Sequence, residues 1–346
     1  MTLEMIRRFI LSAAVLSLAA CFSMPAYSQA PAAPQTAAKT QKVPTNRYSM
    51  KLTQNPDGTY SLQKAERYAK LVDLSKIEDL TVPFTLVRER LSSKDYKGVE
   101  TKEFVYAVHE GYDVKLKVDL AVSDGPAPVV FYLHGGGWSR GNFESNRVLS
   151  QYMAKQEGVA GVRIEYTMDG DPQGTVEVAI QDVLDAVEFI RAHAAELNID
   201  PSRVGFVGNS AGAHLAACGA MLCKDTKVFV GYSGIYDLTT AAITVRAKQP
   251  ARVAYFEDKD EKVLADASPV YMIPKKRTLA AMLVCGTADI TVEWSQSEEF
   301  AEALEKKGNR VALEVYENYD HNLSSNSSDK MEEIFFKTVD FISENI

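Results

Sequence analysis

Three short segments of the chain carry side chains whose types and spacing could make and break an acyl bond. The first is Gly208-Asn209-Ser210-Ala211-Gly212, one hydroxyl framed by glycines two positions away on either side. The residues before it, Arg203–Val207, read as a strand, and Ala211 opens a helical pattern. A serine at the apex of a strand-to-helix turn is exposed, and the helix N-terminus favours negative charge developing there. The glycines relieve crowding at the sharp turn. A serine that merely caps the helix is the competing explanation. The second segment is His134-Gly135-Gly136-Gly137-Trp138, directly after the apolar run Val129–Leu133. Three consecutive glycines cost backbone entropy and suit a place where N–H groups must approach a ligand. Gly136, Gly137 and the N–H of Ala211 are the candidate donors to an oxyanion, against a plain glycine turn. The third is the polar loop Tyr319-Asp320-His321-Asn322.

A serine nucleophile needs a base, and the base needs an orienting carboxylate. Of the five histidines, His109 lies by an early hairpin and His193 within a helix, where solvent is expected. His214 comes four residues after Ser210, one turn along its helix, and is expected to pack. His321, in a loop after the last strand, is the candidate base. Asp289 ends Cys285-Gly286-Thr287-Ala288-Asp289 behind a buried strand, 32 residues before His321, and is the candidate acid. Asp237 is its rival, with helix capping as the simpler explanation; Asp320 is adjacent to the base and is read as a solvated loop residue. Trp138 and Arg140 are candidates for contact with substrate. Core packing competes for Trp138, and a solvated loop charge for Arg140.

Elements must position these groups. Phe104–Val108 and Val114–Val122 read as strands joined by a turn at Glu110–Asp113, followed by buried runs at Val129–Leu133, Val159–Tyr166, Val204–Val207, Val228–Tyr232, Ala280–Cys285 and Val311–Val315. Helical periodicity covers Thr175–Leu197, Ala211–Cys223, Ser295–Lys307 and Ser328–Asn345. Such alternation predicts a mostly parallel sheet with helices on both faces. Two stretches stand outside it, Val43–Lys102 and Asp237–Met272, and both are candidates for a lid or rim. The latter brings Arg246, Arg252, Tyr255 and Phe256.

With these motifs in hand, the chain from about Glu103 to Ile346 resembles the α/β-hydrolase superfamily. Its carboxylesterase branch, near hormone-sensitive-lipase-type and bacterial acetyl-xylan/feruloyl-type esterases, is the nearest likeness. His134–Trp138 is similar to that branch's HGGG[FW] motif. Gly208–Gly212 with Ala213-His214-Leu215-Ala216 looks like its G-x-SAG-x-HLA segment, and Gly286–Asp289 with Val292 like its acid loop. The resemblance implies an eight-stranded, mostly parallel sheet, the order Ser210, Asp289, His321, and no metal or other cofactor. It leaves His134, which precedes the nucleophile, a structural role. It implies a serine carboxylesterase acting on small-molecule, short-acyl or polysaccharide-linked esters through an acyl-enzyme. A peptidase or amidase on the same fold, and a non-catalytic interaction protein, are the alternatives. The pattern departs at Thr167, Glu293 and Asn322, where the branch often has arginine, proline and glycine.

Composition agrees and excludes. The chain has 346 residues, 46% hydrophobic and 24% charged, with a net charge of −8. Disorder does not fit so apolar a chain. Nucleic-acid binding by counterion release does not fit an acidic one. Only one apolar stretch approaches spanning length, so a polytopic membrane protein is excluded. Four cysteines match no metal pattern and are expected as small buried thiols, Cys21 aside. Residues 1–30 have Arg7 and Arg8 before the apolar run Phe9–Ala20, the pattern of an export signal. Ser28-Gln29-Ala30 fits an ordinary cleavage site. Leu18-Ala19-Ala20-Cys21 fits a lipobox that would anchor Cys21 by lipid. The mature protein is expected in the periplasm or outside the cell. Residues 31–45, rich in Ala and Pro, read as a linker, 46–102 as an N-terminal extension, and 103–346 as the catalytic domain.

Overall fold

Central strands buried on both sides need continuous apolar runs, and this chain supplies them. In the computed structural model, Ala127–Leu133 (β3), Ala160–Ile164 (β4) and Ala280–Gly286 (β7) are buried at every position. With Thr101–His109 (β1), Tyr112–Asp119 (β2), Ile199–Asn209 (β5), Thr226–Tyr232 (β6) and Arg310–Tyr316 (β8) they form one eight-stranded sheet. Its order is β8-β7-β6-β5-β3-β4-β2-β1. β1 pairs antiparallel with β2, and β2 with β4; all other pairs are parallel. The structure describes residues 51–54, 60–63, 93–240, 255–256, 261–323 and 328–346, all within the unit Arg47–Ile346.

Strand alternation divides the core into two layers. Phe131, Leu133, Phe206 and Phe229 face one side and pack with helices Val176–Ala192 (α2), Ala211–Leu222 (α3) and Ser295–Lys306 (α4). Val130, Tyr132, Val207 and Val230 face the other, against Leu149 and Met153 of helix Arg147–Gln156 (α1) and Ile334, Phe335 and Ile342 of helix Ser328–Asn345 (α5). This is the architecture expected from the alternation.

Some boundaries move. α1 was not anticipated; its polar residues Arg147, Gln151, Lys155 and Gln156 dilute a short apolar face. α2 ends at Ala192 rather than Leu197: the His193 ring folds back, Nδ1 against the Phe189 carbonyl at 2.8 Å, and stacks on the Phe189 ring. His193 is therefore a half-buried cap, not a solvated mid-helix residue. His109 has a partner as well, Nε2 lying 2.7 Å from the buried carboxylate of Asp182 on α2. The predicted signal and linker lie outside the described residues. Of the extension, Lys51–Gln54 pairs with Tyr60–Gln63 as an antiparallel ladder, and its end at Ser93–Tyr96 lies beside the C-terminus of α1, where Gln156 Nε2 donates to the Asp95 carbonyl. That end of α1 leads into the start of β4, the sheet edge opposite the site described below.

One buried ion pair locks the β2–β4 side. Arg163 and Asp119, on neighbouring strands and 1% and 0% exposed, meet through Nε–Oδ2 at 2.7 Å and Nη2–Oδ1 at 3.0 Å. Ser150 of α1 and Thr101 of β1 also donate to Asp119. Removing Asp119 leaves the buried guanidinium with only Glu144 at 3.4 Å and the Phe143 carbonyl at 3.2 Å as partners. Asp119→Ala is expected to cost about 3–5 kcal/mol in urea unfolding, and Asp119→Leu with Arg163→Met far less. A single-variant loss below about 1 kcal/mol would show that the pair does not lock this side.

Candidate active site

Four loops from the C-terminal ends of the parallel strands meet at one edge. Parallel pairing places Leu133 of β3 level with Gly208 of β5, and Gly286 of β7 level with Tyr316 of β8. The glycine turn, the serine turn and the two polar loops thus start side by side.

Ser210 has φ +54° and ψ −123°, a conformation L-residues rarely adopt. The turn is tight enough that a methyl on Gly208 would strike the Gly212 backbone, and one on Gly212 the carbonyls of Leu133 and His134. The Ser210 N–H donates to the Tyr232 carbonyl at 2.8 Å. Ser210 has no side-chain cap bond, so its hydroxyl is not spent on capping α3. Instead Oγ lies 2.9 Å from His321 Nε2, and His321 Nδ1 lies 2.7 Å from Asp289 Oδ2. Asp289 is 1% exposed, and its Oδ1 accepts the N–H groups of Thr291 and Val292 at 2.7 and 2.9 Å. With the carboxylate held that way, His321 donates from Nδ1 and leaves Nε2 to accept the serine proton.

The acid and base loops are laced together. Ala288 N–H donates to the Tyr319 carbonyl, and Asn318 N–H to Thr287 Oγ1, both at 2.9 Å. Asp320 is not solvated, as its neighbourhood suggested. It is 2% exposed and turns inward to accept the Asn322 N–H, which tightens the loop that presents His321. Asp237 stands apart from the imidazole: its Oδ1 accepts from the N–H and hydroxyl of Thr239, and Oδ2 from the Tyr271 hydroxyl.

The glycine turn folds back on itself. Gly136 has φ +119° and Gly137 φ +62°, and a methyl on Gly136 would meet the Arg140 carbonyl. Gly135 N–H donates to Asn209 Oδ1 at 3.1 Å, which ties the turn to the residue before the nucleophile. The Tyr166 hydroxyl donates to the His134 carbonyl at 2.8 Å. His134 is buried, stacks on Tyr166 and donates Nδ1–H to the Gly135 carbonyl; burial lowers its pKa to about 4, so it stays neutral. Trp138 is 5% exposed, its ring held between His214 and Phe256, whereas Arg140 is exposed. His214 is packed, with burial lowering its pKa to about 4. Of the stretch 237–272, Arg246 and Arg252 lie outside the described residues. Tyr255 and Phe256 are buried, and the Tyr255 hydroxyl donates to the Thr167 carbonyl at 3.1 Å. Cys218, Cys223 and Cys285 are free and buried. Among the described residues no group of three or more His, Cys, Asp and Glu is placed to hold a metal ion.

Asn209, Tyr166 and Thr287 were not singled out from sequence. Only Asn209, the variable position of the serine motif, carried a signal: a short acceptor one residue before the nucleophile.

Comparison with known proteins follows the same lines. A probable isoprenylcysteine alpha-carbonyl methylesterase from Arabidopsis thaliana is 27% identical over 58% of this chain and 46% of its own length. One from Oryza sativa subsp. japonica is 28% identical over 57% and 51%. The chain thus spans about half the length of the curated relatives it matches. Among solved structures, a thermophilic esterase from Thermogutta terrifontis with butyrate bound superposes with a TM-score of 0.60 at 24% identity, covering 72% of this chain and 95% of that one. That likeness shows the α/β-hydrolase fold. The BD-FAE family model matches residues 118–304, just over half of the sequence. Resting on that match, the chain is an α/β-hydrolase belonging to the BD-FAE family.

Proposed function

We propose that the protein is a carboxylic ester hydrolase that works through an acyl-enzyme on Ser210. The observation that carries this is the unbroken line Ser210 Oγ, His321 Nε2, His321 Nδ1, Asp289 Oδ2, at 2.9 and 2.7 Å. His321 takes the hydroxyl proton as Oγ attacks the ester carbonyl. The oxyanion is met by the N–H groups of Gly136, Gly137 and Ala211. As the tetrahedral adduct collapses, His321 gives its proton to the departing alcohol. Water then repeats both steps and frees the acid. Asp289 stabilises the imidazolium in each half.

Short acyl groups on small alcohols are the substrate class, extending to acyl groups carried on carbohydrate. The related plant proteins carry methylesterase names, and the Thermogutta esterase was solved with butyrate and with propionate bound. That esterase was also solved phosphorylated by paraoxon, so the same reagent is a direct test here. Purified protein is expected to hydrolyse p-nitrophenyl acetate and butyrate faster than octanoate, and to take up one paraoxon-derived phosphoryl group on Ser210 by mass spectrometry. Acetylated xylan and methyl ferulate extend the panel. No hydrolysis of any of these, with Ser210 unlabelled, would end the reading.

Export belongs to the same proposal. It is supported by the charge and apolar pattern of residues 1–30, and by Cys21 in a lipobox-like run as the alternative anchor. The N-terminal residue of protein recovered from the producing cell decides it: residue 31 for soluble release, a lipidated Cys21 for an anchored form, and Met1 or Met5 for neither.

The oxyanion donors carry a prediction of their own. Gly136→Ala would place a methyl against the Arg140 carbonyl at φ +119°. It is expected to lower kcat on p-nitrophenyl butyrate by about 10²–10³, the usual effect of losing one donor.

A further inference from the structure

Trp138 ends the glycine turn, yet it is a bulky residue at φ +57°. That conformation is costly for such a side chain and persists only where the surroundings hold it. The surroundings here are specific. Trp138 Nε1–H donates to His214 Nδ1 at 3.2 Å. The indole meets the His214 ring edge-on at 5.5 Å and the Phe256 ring at 5.1 Å. His214 in turn donates Nε2–H to the Ala267 carbonyl at 2.7 Å. One neutral tautomer satisfies both partners, and a ring whose pKa burial lowers to about 4 is neutral at working pH. The Trp138 carbonyl accepts the Asp169 N–H at 2.6 Å, so the residue is fixed at backbone and side chain together.

What this link joins matters for the chemistry proposed above. His214 lies on α3, and its N–H donates to the carbonyl of Ser210 itself. Trp138 is contiguous with Gly136 and Gly137. The oxyanion donors therefore come from two separate loops, one after β3 and one at the start of α3. Donors of this kind must hold their spacing to about 0.5 Å to serve a transition state. Asn209 ties the start of the glycine turn to the nucleophile loop, and the indole–imidazole bond ties its end.

The geometry points to Trp138 as a positioning residue: its hydrogen bond to His214 sets the distance between the Gly136–Gly137 donors and the Ala211 donor. Phe256 and the Ala267 carbonyl hold the pair from outside. The inference rests on the acyl-transfer reading and assigns Trp138 no contact with the reacting atoms.

Three variants test it beside wild type and Ser210→Ala: Trp138→Phe, His214→Leu, and both together. Trp138→Phe keeps an aromatic ring against Phe256 and loses the donor with part of the indole's bulk, while His214→Leu breaks the same link and leaves the indole whole. Each single variant is expected to lower kcat on p-nitrophenyl acetate about 10-fold or more with KM within 2-fold. That split marks loss of an interaction made in the transition state. The double variant should be no slower than the slower single, since both break one link. A second readout does not depend on activity. The chain has two tryptophans, Trp138 and Trp294, so Trp294→Phe assigns the two indole N–H resonances in 15N-labelled protein. The Trp138 signal should exchange slowly with deuterium in wild type, and should shift and exchange faster in His214→Leu. Wild-type kcat in Trp138→Phe beside an inactive Ser210→Ala would overturn the proposal and leave the esterase reading intact. So would multiplying effects in the double variant, or an indole signal that ignores His214→Leu. If Trp138→Phe fails to fold, His214→Leu and its indole signal decide. Equal rates for wild type and Ser210→Ala would end both readings.

Discussion

Ser210→Ala is expected to lower kcat on p-nitrophenyl butyrate by about 10⁶, with the melting temperature almost unchanged. The size follows from how a nucleophile and its base act as a unit: losing one costs about as much as losing all. The small structural effect follows from what Oγ touches. Its hydrogen bond is to His321, itself partly exposed, and it caps no helix. Alanine pays the same backbone cost at φ +54° as serine. Any stability change should stay within about 1 kcal/mol, the usual worth of a single hydrogen bond. Initial rates and a thermal melt on one preparation decide it. More than about 1% residual activity, set against that 10⁶, would place the bond-forming atom elsewhere.

Asp289→Asn should cost about 10⁴ in kcat while leaving the fold intact. Asp289 Oδ1 is occupied by two backbone N–H groups, from Thr291 and Val292. An asparagine there keeps its carbonyl on those donors and turns its NH₂ toward His321 Nδ1. A donor facing Nδ1 selects the tautomer with hydrogen on Nε2, and that ring cannot accept the Ser210 proton. The rival carboxylate gives the contrast. Asp237 accepts from Thr239 and Tyr271, so Asp237→Asn should leave kcat within about 2-fold, as for a change confined to a surface turn. A collapse in Asp237→Asn with Asp289→Asn near full rate would exchange their roles.

The parts legible in the sequence are those on which local chemistry and topology agree. The buried strands announced themselves as runs such as Val129–Leu133, because a strand covered on both faces has no polar side to show. Ser210 and Asp289 each follow such a run. His321 follows β8, whose Val311–Val315 also reads as buried, but β8 is the edge strand, with no buried position and Val315 41% exposed. Apolar composition alone does not tell an edge strand from a central one. What was not legible depends on neighbours far away in sequence. β5 starts at Ile199, ahead of Pro201, because β3 supplies a partner for Ile199 at Ala127. Asp320 looked solvated because its turn closes inward only against the acid loop. Trp138 was balanced between pocket and core, and the balance is struck by His214, 76 residues on. The short polar helix α1 carries little periodicity, yet Ser150 on it completes the shell around Asp119.

The sheet order also bears on when the molecule becomes competent during folding. The serine turn and the glycine turn sit on β5 and β3, paired strands between which the chain runs through α1, β4 and α2, and His321 reaches Ser210 from 111 residues downstream. The contacts that join nucleophile to base, base to acid, and glycine turn to serine turn are all long-range, and such contacts form only after large loops have closed. Partly assembled chains, including nascent ones still lacking β8, hold a serine with no base. Turnover is then a reporter of complete chain collapse, and in refolding it should lag behind the helical signal of α2 and α3, whose contacts are local.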